Sequence, residues 1–397
     1  LVISKIVKEL GKIVVWGGPH PTILPEQTLQ NQYIDAVVVG EGEYAFLDLL
    51  NYLNGKKNLK PLGCAIKKDV KVIVLEQQKK VVDLNKTELP AWDLVENVDR
   101  YFPDKKYNAL PISTTRGCPY KCGFCHNSNA NVKKYLGCYR IAEPSRAVKE
   151  YKFVSSIVKN EISFLDVGED LHLVTKEYTK KFCDTLDKSK LGLKWFTSAR
   201  FHTMDLESVN RIAKSGCDRI LFGVESGSPR IQKLINKPVP LEHAKKICKA
   251  LIDNNVLVTN AYIFGHPTET LDELELTLKF LKEIPADQNL IQMYRPLPAT
   301  PYFEICKNLN KGLLIPETLE GWADFGVLGS EKNFSEIPDK ILFKYYYKTN
   351  LFEQLKYLKN IEKYYIKRGM YKSFIRNLYQ NKFTFKVREM IHNNLNR

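Results

Sequence analysis

The chain has 397 residues, of which 44% are hydrophobic and 26% charged, and its formal net charge is +15. That length is enough for two or three domains with sizeable cores. The composition is that of a globular protein, which excludes fibrous and wholly disordered classes, and no run of about 18 apolar residues offers a membrane span.

The chain begins at Leu1, and LVISKIVKELGKIVVWGG reads as a helix running into a strand. It is neither a signal peptide nor a transit peptide, so a fragment lacking its first elements is expected. Residues 1–50 repeat the order helix, strand, glycine turn. The strands KIVVWGG and IDAVVVGEGE are near-continuous apolar runs, as in buried parallel strands joined by crossover helices. Glycines directly after such strands mark a sharp turn or a close approach of backbone to a ligand. Residues 64–85 read as a β-ribbon and residues 85–103 as a linker punctuated by Pro90 and Pro103.

From residue 109 six β/α units follow in series. The strands lie in ALPISTTRGC, EISFLDVGED, LKWFTSAR, RILFGVES, VTNAYIFGHP and NLIQMYRPLP, with helical patterns such as TKEYTKKFCDTLDKS and LEHAKKICKALIDNN between them. This predicts an α/β fold with a parallel sheet partly closed into a (β/α)6 TIM-like barrel. Six strands are fewer than the usual eight, so one side is expected to be open. Arg116, Asp166, Arg200, Glu225, Gly265 and Arg295 fall at the carboxyl ends of the strands, where barrels of this kind carry their active sites.

Residues 331–397 carry 15 Lys/Arg against 6 Asp/Glu, with eight tyrosines. The tail reads either as an anion- or nucleic-acid-binding surface or as a solvated helical extension. The second is preferred, because basic bias alone is a weak signal.

Nine cysteines are present, and six (Cys64, Cys138, Cys183, Cys217, Cys248, Cys306) are scattered singly. Cys248, in AKKICKALI, reads as a small buried hydrophobe, and the pattern fits a reducing cytoplasm better than a disulfide framework. The other three, Cys118, Cys122 and Cys125, are spaced C-x3-C-x2-C in TTRGCPYKCGFCHNS, straight after the first barrel strand. Thiolates so close in one loop point to a shared metal centre. Zinc would need a fourth ligand. His126 adjoins Cys125, but adjacent residues rarely reach one tetrahedral ion. A four-iron cluster on three cysteines leaves one iron open to a small molecule.

This loop, with Phe124 before the last cysteine, resembles the signature of the radical S-adenosylmethionine (radical SAM) superfamily. The resemblance implies a [4Fe–4S] cluster on Cys118, Cys122 and Cys125, with S-adenosylmethionine on the open iron. One-electron reduction would cleave it to methionine and a 5′-deoxyadenosyl radical. An external reductant of flavodoxin or ferredoxin type and a small-molecule or natural-product substrate are implied, with nucleic acid an unlikely partner. The superfamily often places an amine-binding motif after the second strand. LDVGEDLH offers Asp166, Glu169 and Asp170 there without matching it. Four positions are assigned to S-adenosylmethionine: Phe124 toward the adenine, Arg200 as a carboxylate clamp or a rim ion pair, Glu225 in GVESGS toward the ribose or as a structural carboxylate, and Gly265 in YIFGHPTET near the adenine. Pro267 and Thr270 read equally well as the start of the next helix with Thr268 as its cap. PLPATP has Ala299 where the superfamily usually has glycine.

VVWGGPHPTILPEQTL…IDAVVVGEGE resembles the carboxyl half of the cobalamin-binding domain, a flavodoxin-like (Rossmann-type) α/β module that precedes the barrel in one large subfamily. The linker LPAWDL is also similar. Gly17, Gly18, Gly40, Glu41 and Gly42 would line the pocket for the cobalamin nucleotide tail. His20 lies on the wrong loop to be the cobalt ligand. The alternative is a vestigial module without cobalamin. The two resemblances cover about residues 5–305 and leave the last ninety residues outside them, so the chain is read as a partial cobalamin-binding-like domain (1–75), a linker (76–108), a radical SAM barrel (109–310) and a helical C-terminal extension (311–397). The resemblance implies methyl transfer to an unactivated carbon. The alternatives are radical cyclisation, oxidation or rearrangement, as in anaerobic porphyrin-ring cyclases, or a basic RNA-binding protein with a structural metal.

Overall fold

The structure is a computed structural model describing residues 1–55, 61–68, 71–76, 81–103, 108–129, 139–168, 171–309, 313, 315–327 and 332–367. Cys138, Glu169, Asp170 and the end of the basic tail lie outside the described residues.

The amino-terminal part runs α1 (Val2–Glu9), β1 (Val15–Trp16), α2 (Pro19–Ile23), α3 (Pro25–Gln30), β2 (Ala36–Val38) and α4 (Gly42–Leu53). The ribbon of β3 (Cys64–Lys68) and β4 (Lys71–Val74) follows. β1 pairs parallel with β2, and β2–β3 and β3–β4 are antiparallel. The apolar runs are buried as expected: Ala36, Val37, Val38, Leu49 and Ala65 are at most 5% exposed. Gly18 and Gly40, after β1 and β2, have φ of 99° and 87°, which only glycine adopts readily.

β5 (Asn108–Pro111) opens the second sheet, with β8 (Ile162–Val167), β9 (Lys194–Ala199), β10 (Cys217–Glu225), β11 (Leu257–Phe264) and β12 (Gln288–Met293). All five pairings are parallel, in the order β12-β11-β10-β9-β8-β5, and the sheet is open between β12 and β5. The crossover helices are α5 (Ser145–Ile157), α6 (Lys176–Ser189), α7 (Leu206–Lys214), α8 (Pro229–Leu234), α9 (Leu241–Asp253) and α10 (Leu271–Glu283). Their apolar faces and the sheet form one core, in which Phe182, Trp195, Phe222, Ile247 and Phe264 are fully buried. Each such side chain contributes about 2–3 kcal/mol by burial.

Three boundaries differ from the sequence reading. The ribbon read over 64–85 ends at Val74, and residues 75–76 and 81–85 lie outside any strand. ALPISTTRGC is not one strand. β5 ends at Pro111, whose ring removes a ladder donor, and Ile112 N–H adds one last bond to Asp166 O at 2.9 Å. The chain then forms β6 (Thr115–Arg116), paired antiparallel with β7 (Arg140–Ile141) outside the main sheet. The cap of α10 is Thr270, not Thr268. Thr270 and Glu273 form a reciprocal capping box, whereas Thr268 sits at φ 64° in the preceding turn.

α11 (Pro301–Asn308) and α12 (Leu319–Val327) lead to α13 (Asp339–Lys367), the helical extension. α13 packs along β12, where Asn289 Nδ2 donates to the buried Glu353 Oε2 at 2.8 Å and Asn360 Nδ2 to Asp287 O at 3.0 Å. The described part of the tail therefore covers one free sheet edge, which removes a row of unpaired backbone groups. Among the described residues no helix is long and apolar enough to cross a membrane.

Candidate functional site

The cysteine loop leaves β6 through Gly117, at φ 75°. Hydrogen bonds to its backbone pin it from neighbouring elements. Gly123 N–H donates to Ile235 O at 2.9 Å, Tyr302 N–H to Gly123 O at 3.0 Å, and Asn236 Nδ2 to Lys121 O at 3.2 Å. Within the loop Cys125 N–H returns to Cys122 O at 3.0 Å, and the Ser128 hydroxyl donates to Cys125 O at 2.7 Å. His126, left open between substrate contact and packing, begins a short 3-10 turn and is half-buried.

Cys122 is 8% exposed, and Cys118 and Cys125 are half-buried. Arg200, directly after β9, donates from Nη1 to Cys122 Sγ at 3.3 Å. Its guanidinium carbon lies 3.8 Å from the centre of the Tyr120 ring. The scattered cysteines behave differently: burial pushes the thiols of Cys64 and Cys248 up to about 12 and those of Cys183 and Cys306 up to about 11. These four are held as thiols, unsuited to ligation.

Among the described residues no three His, Cys, Asp or Glu side chains are grouped tightly enough to hold one metal ion. A mononuclear zinc site needs every donor within about 2.3 Å of one point. A four-iron cluster spreads its thiolates over separate irons and accepts wider spacing. Three cysteines in one loop, one beside a guanidinium that can balance ligand charge, fit the cluster.

At the barrel mouth Arg200 and, through Lys237, Glu225 come to this loop. Phe124 packs into a cluster with Ile231, Ile235, Tyr294 and Tyr302. Glu225 ends β10 at φ 67°, a strained backbone for a carboxylate residue. Its Oε1 accepts from Lys237 Nζ at 2.6 Å, and that ammonium lies 6.0 Å from the centre of the Phe124 ring. A Cβ on Gly223 would collide with both Glu225 Oε1 and Lys237 Nζ. Gly265, at φ 76°, faces Met293 and Leu342 of α13. Behind it Glu269 is fully buried, and its Oε2 accepts from Gly265 N–H and His266 N–H at 2.8 and 3.2 Å. Burial raises the Glu269 carboxyl to about 8 and lowers the His266 imidazole to about 4. Asp166 is half-buried at the end of β8, and Arg295 is exposed after β12. Sequence reasoning missed Lys237, Tyr120 and Tyr302. INKPVP, which holds Lys237, carries no local signal, because its role depends on the turn after α8.

Four of the five residues expected to bind cobalamin, Gly17, Gly18, Gly40 and Gly42, line one groove of about 460 Å3 with Trp16, Glu43, Phe46, Leu47 and Leu50. Glu41 does not line it. Its carboxylate turns toward the barrel, accepting from Arg116 Nη1 at 3.0 Å and Arg140 Nη1 at 2.9 Å. Arg116 also pairs with Glu43 on the groove rim. After burial, the hydrogen bond from Arg116 is the main influence on the Glu43 carboxyl, and the net shift is downward. His20 packs its ring against Trp322 of α12 and is lowered by burial.

Residues 112–281 match the radical SAM superfamily, and residues 2–50 match the B12 binding domain. The chain belongs to the radical SAM superfamily, in its B12-binding architecture. A [4Fe–4S] cluster and S-adenosylmethionine are the cofactors of this enzyme superfamily. Among curated relatives, an uncharacterized methyltransferase of Pyrococcus horikoshii is 29% identical over 87% of this radical SAM chain and 74% of its own length. The anaerobic magnesium-protoporphyrin IX monomethyl ester cyclase of Rubrivivax gelatinosus is 25% identical over 96% of the chain and 69% of its own length. Among solved structures, the radical S-adenosylmethionine methyltransferase TsrM of Kitasatospora setae superposes with a TM-score of 0.64 at 16% identity, over 79% of this chain. The cobalamin-dependent enzyme OxsB superposes with a TM-score of 0.60 at 21% identity, over 78%. At these identities the likeness is one of fold. The chain spans 62% and 44% of those two solved chains.

Proposed function

We propose that the protein is a cobalamin-dependent radical SAM enzyme that methylates an unactivated carbon of a small organic substrate. The observation that carries the reading is the chain of contacts from the groove rim to the cysteine loop: Glu41 and Glu43 hold Arg116, two residues before Cys118. Two cofactor sites that must cooperate on one substrate need such fixed spacing. On Cys118, Cys122 and Cys125 a [4Fe–4S] cluster would supply the electron for reductive cleavage of S-adenosylmethionine, and cobalamin along Gly17, Gly18, Gly40 and Gly42 would supply the methyl group.

The chain's own residues bind and orient. Glu225, fixed by Lys237, presents a carboxylate oxygen to ribose hydroxyls. Phe124, half-buried in the loop, offers an apolar surface to a flat base. Arg200 adds a cation at the same mouth. α13 and the turn at 332–337 cover the far side, where Thr268 N–H bonds Phe334 O and Glu336 N–H bonds Glu269 O, so water is kept from that flank.

Anaerobically reconstituted protein with dithionite, S-adenosylmethionine and cobalamin tests the reading. Cleavage to 5′-deoxyadenosine that disappears in Cys122→Ala, with a methylated product, is the expected result. Equal cleavage by both proteins would sink the cluster assignment. Cleavage without any methylated product while cobalamin is bound would favour a second reading, radical cyclisation or oxidation, which the cyclase relative spanning 96% of the chain supports.

A further inference from the structure

We infer that Arg200 is a positioning residue of the iron–sulfur site: seated on Tyr120, it donates a hydrogen bond to the Cys122 sulfur and so raises the reduction potential of the cluster. The inference rests on the cluster reading proposed above.

Arg200 starts from a rigid point. It follows the last residue of β9, and its carbonyl accepts from Thr203 N–H at 3.0 Å and Thr203 Oγ1 at 2.9 Å. The side chain crosses to the cysteine loop and meets it twice. Nη1 lies 3.3 Å from Cys122 Sγ, and the guanidinium carbon lies 3.8 Å from the centre of the Tyr120 ring. Tyr120 precedes Cys122 by two residues, so one loop supplies both the seat and the acceptor. Stacking on an aromatic face fixes the plane of the guanidinium, which aims its N–H groups. Among the described residues Arg200 has no carboxylate in ion-pair contact, so its charge is left to act on the sulfur. Cys122 is the most buried of the three loop cysteines, where a charge-assisted bond is least weakened by water.

The physical effect has a definite sign. Reduction adds one electron from an outside one-electron donor, with no proton and no bond broken, and the negative charge spreads onto the ligand sulfurs. A cationic donor on one sulfur stabilises the reduced form more than the oxidised form. Hydrogen bonds to the sulfurs are among the levers that set such potentials. A residue that only clamps the carboxylate of S-adenosylmethionine would leave the potential unchanged when that molecule is absent.

The test is an anaerobic redox titration with dithionite, followed by electron paramagnetic resonance, on wild type, R200Q, R200K and Y120L without S-adenosylmethionine, with iron counted per chain. R200Q is expected to take up the same iron and to lower the equilibrium constant for reduction at least tenfold, about 59 mV for one electron. R200K and Y120L are expected to shift the same way by less, because the first keeps the charge and the second keeps the donor. An unchanged potential in R200Q overturns the inference and leaves the cluster reading standing. If R200Q holds no cluster, unchanged potentials in both R200K and Y120L overturn it. A wild type that takes up no cluster removes the inference together with the reading beneath it.

Discussion

Lys237 sets its ammonium 2.6 Å from the Glu225 carboxylate at the barrel mouth, with side-chain exposures of only 12% and 9%. A pair so poorly solvated is costly to break from one side, because the remaining charge keeps its desolvation penalty. Lys237→Met is expected to lower unfolding stability by about 3 kcal/mol, measured by denaturant unfolding. Lys237→Met/Glu225→Gln should recover most of that loss. A double variant no better than the single one would show that the pair is not what the mouth depends on.

Ala299 explains why glycine is usual at its position. It sits at φ 55°, left-handed backbone that costs a residue with a Cβ about 1–2 kcal/mol. Ala299→Gly is expected to recover about 1 kcal/mol of this, less the extra entropy glycine has when unfolded. A calorimetric scan should show a higher Tm, and a lower one would refute the strain argument.

The helices were legible because their signals are local. Thr175, Asp205 and Thr270 cap α6, α7 and α10 through their own side chains, and each stands directly before a periodic apolar run. The six strands were legible from their apolar runs, with the first read past its end at Pro111. The ambiguities lay where two local signals competed. Thr268 read as the cap and Thr270 as the start of the helix, and the pairing of Thr270 with Glu273 moves the cap to Thr270. What the sequence hid depends on distance in space. Arg200 meets Cys122 across 78 positions, and Arg140 meets Glu41 across 99. Glu41 could be placed beside a groove by its glycine neighbours, but not turned away from it.

Glu269 makes stability depend on pH. Its carboxyl is raised to about 8 in the fold, from 4.5. Between those values the native state holds a proton that the unfolded chain releases, so stability falls as pH rises. His266 acts oppositely below 6.5, where the unfolded imidazole binds a proton that the native one, lowered to about 4, refuses. The net fall therefore shows between about pH 6.5 and 8, approaching one proton, or about 1.4 kcal/mol per pH unit. Glu269→Gln keeps an acceptor for Gly265 and His266 N–H and should flatten that slope. Unfolding curves at pH 6.5, 7.2 and 8 measure it, and an unaltered slope would place the proton elsewhere.

Glu41 steadies the strand that launches the cysteine loop. Removing its carboxylate by Glu41→Ala is expected to speed amide hydrogen exchange across residues 114–118 while leaving β9 and β10 protected, since loops open locally at less free energy than core strands. Exchange followed by mass spectrometry reads both regions at once. A loop that exchanges no faster would mean that the backbone bonds at Gly123 and Tyr302 hold it unaided.

The ties from Glu41 to Arg116 and Arg140 also bear on how freely the two parts of the chain can be recombined. A chimaera that grafts another amino-terminal module onto this barrel inherits two arginines, 33% and 14% exposed at their side chains, in search of an acid. Unless the graft brings carboxylates to the positions of Glu41 and Glu43, it removes the acids that these arginines meet at the seam. The junction is thus written in four residues, and a recombinant that carries all four across should tolerate wide divergence elsewhere in either half.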